Sequence, residues 1–253
     1  MLRIRVMPCL LVENERLVKT VKFKNSTYVG DPINAIKIYN EKEVDELIVV
    51  DITTTIKNRS PNFKLISEIA NECFMPLCYG GGIRNTDDIR KICNLGIEKV
   101  AINSYANENH KFINEASDLF GSQSIVVSID VKRTILGKYV VYTHGGQKST
   151  KKNVVEYATL MEKLGAGEIL LNSINRDGSW EGYDCELIRK VTDAVSIPVI
   201  ACGGAGKISD FSEAVEKGGA SAVAAGSMVV FQGKDLGVLI KFPKPEELKK
   251  VLD

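Results

Sequence analysis

The sequence predicts a (β/α)8 barrel, an α/β fold, on three observations. Eight short apolar runs alternate with helix-like stretches. The runs are continuously hydrophobic, as strands covered on both faces should be. The length, 253 residues, is that of eight β/α units in one barrel. The runs fall at 4–11, 47–51, 76–80, 100–103, 125–130, 168–172, 198–201 and 222–225. Amphipathic stretches at 87–95, 154–164 and 211–217 lie between them. Gly96, Gly165 and Gly218 follow the expected helix ends, where a left-handed residue stops a helix. A doubly wound open sheet is the competing arrangement. No segment reads as a linker, so 1–253 is expected to be one barrel domain.

The two halves of the chain repeat. At an offset of 122 residues Glu46 falls on Glu168, Pro76 on Pro198, Gly81 on Gly203 and Gly82 on Gly204. Asp88 then falls on Asp210 and Gly96 on Gly218. A period this long is outside the solenoid range and predicts a barrel of two similar half-barrels. The alternative is that any two β/α units look alike, because Gly and Pro punctuate both.

The most informative part of the repeat is Cys78-Tyr79-Gly80-Gly81-Gly82-Ile83-Arg84 and its echo Ala201-Cys202-Gly203-Gly204-Ala205-Gly206-Lys207. Glycines that end a strand and open a helix expose backbone N–H groups to an oxyanion. Gly81 and Gly82 with Asn103 and Ser104 make one expected phosphate cradle. Gly203 and Gly204 with Gly226 and Ser227 make a second, across the same mouth. A small molecule with a phosphate at each end would suit the pair; tight βα turns alone would also use these glycines.

Composition removes several classes of function. The balance of 33 basic against 32 acidic residues gives no stripe for nucleic acid. Apolar content is 44 %, yet no run approaches the ~18 residues of a membrane span. The opening Met-Leu-Arg-Ile-Arg-Val is already strand-like and lacks a signal-peptide layout. Six cysteines never occur as CxxC, which argues against a zinc site or a disulfide framework. Cys9, Cys78 and Cys202 read as buried free thiols, fitting a reducing cytoplasm; no metal or cofactor is expected.

Two connections, 12–31 and 131–146, are longer than a barrel needs. Both follow C-terminal strand ends, the face where barrel enzymes keep their sites. Asp130 ends the fifth run, where an acid after buried apolar residues suits proton transfer or the capping of a loop. Asp51 ends the second run. Asp177 follows the sixth and could instead be a turn residue before Gly178. The two-half pattern calls for an acid at the end of strand one, but Leu11 stands there. Period-two alternation puts Cys9, Leu11 and Glu13 on one face, so Glu13 could reach in as a substitute. Lys19 is either a phosphate or substrate contact or an exposed loop lysine. Arg5, Glu46, Lys99 and Glu168 each start a strand. Facing inward they would close a ring of alternating charge at the barrel floor; facing outward they are four unrelated surface charges.

These residues carry a family resemblance. GDP at 30–32, VVDIT at 49–53, GGGI at 80–83 and SIDVKR at 128–133 are part of it. GAGEILLNSINRDG at 165–178, GYD at 182–184 and ACGGAGK at 201–207 complete it. The sequence resembles the HisF family, the cyclase subunit of imidazole glycerol phosphate synthase, nearly end to end. The resemblance implies a barrel docked by its bottom face on a HisH-like glutaminase. Ammonia would enter through the ring of Arg5, Glu46, Lys99 and Glu168 and meet a bisphosphate at the top. The family's cyclase uses an acid–base pair, an Asp on strand one with an Asp on strand five. Here only Asp130 remains, because position 11 is Leu.

The stretch around Leu11 and the tail at 237–243 depart from the usual cyclase. In this they resemble the HisF-like paralogues of surface-polysaccharide biosynthesis. Those are thought to pass ammonia to a separate sugar amidotransferase that makes acetamidino groups. The expectation is therefore a cyclase-impaired, ammonia-conducting subunit. A working histidine-pathway cyclase is the alternative, and a glutaminase-independent sugar-phosphate isomerase barrel is a third reading.

Overall fold

A computed structural model describes residues 4–235 and 237–252. Met1–Arg3 of the strand-like opening therefore lie outside the described residues. Among the described residues twelve strands form one sheet: β1 (Arg5–Glu13), β2 (Arg16–Val21), β3 (Lys24–Gly30), β4 (Leu47–Asp51), β5 (Leu77–Gly80) and β6 (Lys99–Ile102). They continue as β7 (Ile125–Arg133), β8 (Tyr139–Thr143), β9 (Lys148–Asn153), β10 (Glu168–Ser173), β11 (Val199–Cys202) and β12 (Ala222–Ala225). Eight of them, β1, β4, β5, β6, β7, β10, β11 and β12, pair in parallel. The pairing of β12 with β1 closes the barrel. Every apolar run read from the sequence is one of these eight strands.

The two long connections are not loops. β1 runs on to Glu13 and turns through Asn14 and Glu15, both left-handed (φ 49° and 65°), into β2. β2 then pairs antiparallel with β3. β7 likewise runs on to Arg133 and folds back as β8 and β9. The barrel strands are buried almost throughout, whereas β3 and β9 are mostly exposed. Two hairpins thus stand up from the mouth on strands one and five, half a barrel apart.

The internal repeat is visible bond by bond. Leu47 N donates to Pro76 O at 2.9 Å, and Ile169 N donates to Pro198 O at 2.9 Å. Arg84 N donates to Asp88 Oδ2 at 3.2 Å, as Gly206 N does to Asp210 Oδ2 at 2.8 Å. A Cβ at Gly81 would meet Asp51 O at 2.6 Å, and one at Gly203 would meet Ser173 O at 2.8 Å. The repeat is looser at the helix ends. Gly96 and Gly165 are left-handed, but Gly218 is not; Gly219 takes that conformation (φ 76°). Gly218 is small for another reason, since a Cβ there would lie 2.4 Å from Ala214 O. Asp210 also accepts from Lys207 N at 3.1 Å. Asp210→Ala is therefore expected to lose about 1–2 kcal/mol of stability and Asp88→Ala about 1, a difference that urea unfolding would resolve.

The interior is layered. An eight-stranded barrel closes with a stagger of about one residue per strand, so side chains from alternate strands share a level. From the registers, Met7, Cys78, Val126 and Ile200 form one level, and Ile48, Ala101, Leu170 and Ala224 the next. Cys9, Gly80, Ser128 and Cys202 form the level above. These apolar side chains make one buried cluster, and Leu11 and Val50 pack on its upper end. The larger core lies outside the barrel wall, between strands and helices.

Candidate functional site

A cavity of about 310 Å³ opens at the C-terminal ends of the strands. Its floor is the level of Cys9, Gly80, Ser128 and Cys202, with Ala101 and Leu170 beneath. Gly80 and Ser128 are too small to fill the barrel axis, which is why the cavity reaches that deep. Asp130 lines one wall and Leu11 the opposite one, four barrel strands apart. Leu11 does not plug the mouth; it extends the apolar interior upward together with Val50.

Asp130 is 8 % exposed, and burial pushes its carboxyl up to about 7. The nearby Asp177 and Cys9 raise it further, while a hydrogen bond from Asn103 Nδ2 to Oδ2 at 3.2 Å works the other way. The group can therefore give or take a proton near neutrality. Glu13 also lines the cavity, but its carboxylate accepts from Ser26 Oγ at 2.6 Å, within the β1–β3 hairpin.

The other predicted acids have structural tasks. Asp51 Oδ1 accepts from Thr53 N at 2.8 Å, Thr53 Oγ1 at 2.7 Å and Thr54 N at 3.1 Å, which fixes the turn after β4. Asp177 Oδ2 accepts from Thr20 Oγ1 at 2.9 Å and Phe23 N at 3.2 Å. Its carbonyl accepts from Lys22 N at 3.0 Å. Asp177 thus fastens the β2–β3 turn across the mouth, while both acids still line the cavity.

Lys19 is not an exposed loop lysine. It sits on β2, 5 % exposed, and lines the cavity. Its Nζ stands 2.1 Å from where a Cβ of Gly226 would be, so only glycine at 226 admits it. The two glycine turns consequently differ. Gly81 and Gly82 with Asn103 and Ser104 border the cavity. Gly203, Gly204 and Ser227 are not among the residues that line it, and Gly226 packs against the Lys19 side chain, which does line it.

Other side chains complete the first cradle and the cavity floor. Ser104 Oγ donates to Asn103 Oδ1 at 3.1 Å and accepts from His144 N at 2.9 Å, which docks the β8–β9 turn beside the first cradle. His144 is lowered by its burial and by Lys148, against a pull upward from Glu108. Arg84 follows the glycines directly, lines the cavity and donates to Asn58 Oδ1. The Cys202 thiol donates to the Cys9 sulfur, which, helped by Lys19, lowers Cys9 despite full burial; the same bond raises Cys202.

At the opposite end the four charged strand starts meet. Arg5 Nη1 donates to Glu46 at 2.6 Å and Arg5 Nη2 to Glu168 at 2.9 Å. Lys99 Nζ donates to Glu46 at 3.0 Å and to Glu168 at 3.2 Å. Each cation touches both anions, so the ring is closed and every charge is paired, as partly buried charges require. Burial works to lower Arg5, but Glu168 and Glu46 overturn that and raise it. Cys78 lies just above the ring, and burial with Glu46 and Glu168 pushes its thiol well up.

Fold and site together define a (β/α)8 barrel with an ionic ring at one end of its bore and a proton-active acid at the other. Comparison with known proteins agrees. The profile of the family described as "Histidine biosynthesis protein" matches residues 5–235, and the chain belongs to that family. It is 51 % identical over 248 residues to a Pseudomonas aeruginosa protein named "Putative imidazole glycerol phosphate synthase subunit hisF2", covering 98 % of this chain and 99 % of that one. A Leptospira borgpetersenii protein named "Putative imidazole glycerol phosphate synthase subunit HisF" is 46 % identical, covering 96 % of each chain. The hisF3 relative from Vibrio vulnificus is 45 % identical, covering 100 % of this chain and 98 % of its own. No helix among the described residues is long and apolar enough to cross a membrane.

Proposed function

We propose that this chain is the ammonia-conducting barrel subunit of a glutamine amidotransferase system. A HisH-type glutaminase at the floor supplies ammonia. The chain no longer closes an imidazole ring itself, and the nitrogen passes to a sugar amidotransferase that makes an acetamidino group of a surface glycan. The observation that carries this reading is the pairing of a closed floor ring with Leu11 opposite Asp130. Between them the bore is lined by apolar and thiol side chains, a path that suits neutral ammonia and excludes ions. At the mouth, Asp130 can move a proton, but a leucine stands across from it on strand one.

The test is to supply amide-labelled glutamine to the chain and a HisH-type glutaminase in unlabelled ammonium buffer. Label reaching the acceptor undiluted supports conduction, and complete exchange with the buffer overturns it. Glu168→Gln is expected to lower transfer from glutamine more than transfer from ammonium salt. It leaves Arg5 and Lys99 sharing one carboxylate, at a stability cost of about 1–3 kcal/mol.

One observation favours a second reading, that of a working cyclase. Asp130 is poised near neutrality and Glu13 lines the same cavity, so the two could share the proton work. Imidazole glycerol phosphate formed from ammonium salt at an ordinary enzymic rate would establish it and remove the first.

A further inference from the structure

We propose that the tip of the β7–β8 hairpin, Ile135 and Leu136 with the cations around them, is the surface on which the enzyme that takes up the nitrogen docks. This rests on the conduit reading and adds where the transfer partner sits. Ile135 and Leu136 are consecutive and almost wholly in solvent. They are not on a frayed loop. Thr134 N donates to Lys138 O at 2.8 Å, Gly137 N to Thr134 O at 2.9 Å and Lys138 N to Thr134 Oγ1 at 3.1 Å, which closes the turn. Below it, Arg133 N donates to Asn175 Oδ1 at 2.7 Å, the Arg133 guanidinium meets Glu186 at 3.2 Å and Tyr139 Oη donates to Asp184 Oδ1 at 2.9 Å. Two branched apolar side chains are thus held out on a fastened stalk at the mouth end of the barrel. A pair ordered in advance loses little freedom when a partner covers it.

Charge indicates what covers it. Between Val131 and Asn153 stand Lys132, Arg133, Lys138, Lys148, Lys151 and Lys152, and no Asp or Glu. Among the described residues only Arg133 of the six meets a carboxylate. With these six set aside, the chain's 33 basic residues become 27 against 32 acidic ones, so the hairpin is a positive projection on an otherwise acidic molecule. A second copy of this chain would bring the same cations face to face and be repelled. The surface that fits is apolar at its centre with an acidic rim. An anionic bilayer shares that sign. A plane resting on this tip, however, would also approach the β1–β3 hairpin on the same face, where Glu15 is exposed. It would also leave the mouth facing lipid, with no acceptor for the nitrogen. Ammonia needs an acceptor close by, because in neutral water it is protonated and ceases to be a nucleophile.

The experiment uses the assembled system: this chain, a HisH-type glutaminase and a sugar amidotransferase with its acceptor sugar. A photo-crosslinking residue replaces Ile135 in one form and Phe74, exposed before β5 at the floor, in another. Cross-links to the amidotransferase from position 135 and none from position 74 are the expected result. Ile135→Asp with Leu136→Asp should lower transfer of the glutamine amide nitrogen to the sugar by at least about tenfold, the worth of one buried apolar side chain. Transfer from ammonium salt should be unchanged. Both positions are in solvent, so the double variant keeps its fold. Undiminished transfer in that variant, or cross-links from position 74 alone, overturns the surface while leaving the conduit standing. Sedimentation of the chain with phosphatidylglycerol vesicles, abolished in the same variant, would assign the tip to a lipid surface and also overturn it. If no labelled nitrogen reaches the sugar with the unaltered chain, the conduit reading and this surface fall together.

Discussion

Leu11→Asp is expected to raise imidazole glycerol phosphate formation by about 10²–10⁴-fold, with ammonium salt as nitrogen source, the usual worth of one acid–base group. Position 11 is the right place to look because its strand, β1, stands four barrel strands from β7 and Asp130, across a cavity wide enough for a ligand. Leu11 is only partly buried, so a carboxylate there keeps access to water and stays ionisable at modest cost. Leucine's packing against the upper end of the interior would be lost, about 1–3 kcal/mol. The gain should appear in kcat rather than in ligand affinity, since the first glycine cradle is unchanged. If the variant folds, binds the bisphosphate and still fails to turn over, the mouth has changed at more than this residue. If the unaltered chain already turns over at an ordinary rate, the idea that Leu11 impairs the cyclase is wrong.

How much of this was legible beforehand depended on whether a feature is written locally. The barrel strands are continuous apolar runs, and burial on both faces leaves that mark directly in sequence. The half-barrel repeat was legible because the same atoms do the same task twice, as with Asp88 and Asp210. The floor ring was visible as four charged strand starts, but only the closed barrel brings Arg5 and Glu168 together from 163 residues apart. The hairpin on strand one was missed because its turns use Asn14 with Glu15 and Lys22 with Phe23 in left-handed conformations, without the glycine that usually announces one; the hairpin on strand five does carry that signal, in Gly137, Gly145 and Gly146. From that miss came the doubt over Lys19.

Asp130→Asn is expected to stabilise the fold near pH 8 by about 2–4 kcal/mol while having little effect near pH 4, and to reduce any proton-transfer chemistry at the mouth by about 10²–10⁴-fold. The carboxyl is pushed from 3.8 up to about 7, chiefly by burial. The folded state therefore keeps the proton over a range where the unfolded chain releases it. Stability contributed by that proton is fully present below the ordinary aspartate pKa and is lost as pH rises through about 7. Above it, the folded chain carries a buried anion beside Asp177 with one hydrogen bond, from Asn103. An asparagine has the same shape, can still accept from Asn103 and carries no charge to desolvate. Urea midpoints of both proteins near pH 5 and pH 8 would decide: a gain that is equal at both, or a loss at the higher pH, sinks the argument. The fold would be steadier with the amide, so the acid stands there against the demands of stability. A residue kept at that cost, facing the open end of a bore whose other end is ringed by paired charges, is where the chemistry of this barrel is to be sought.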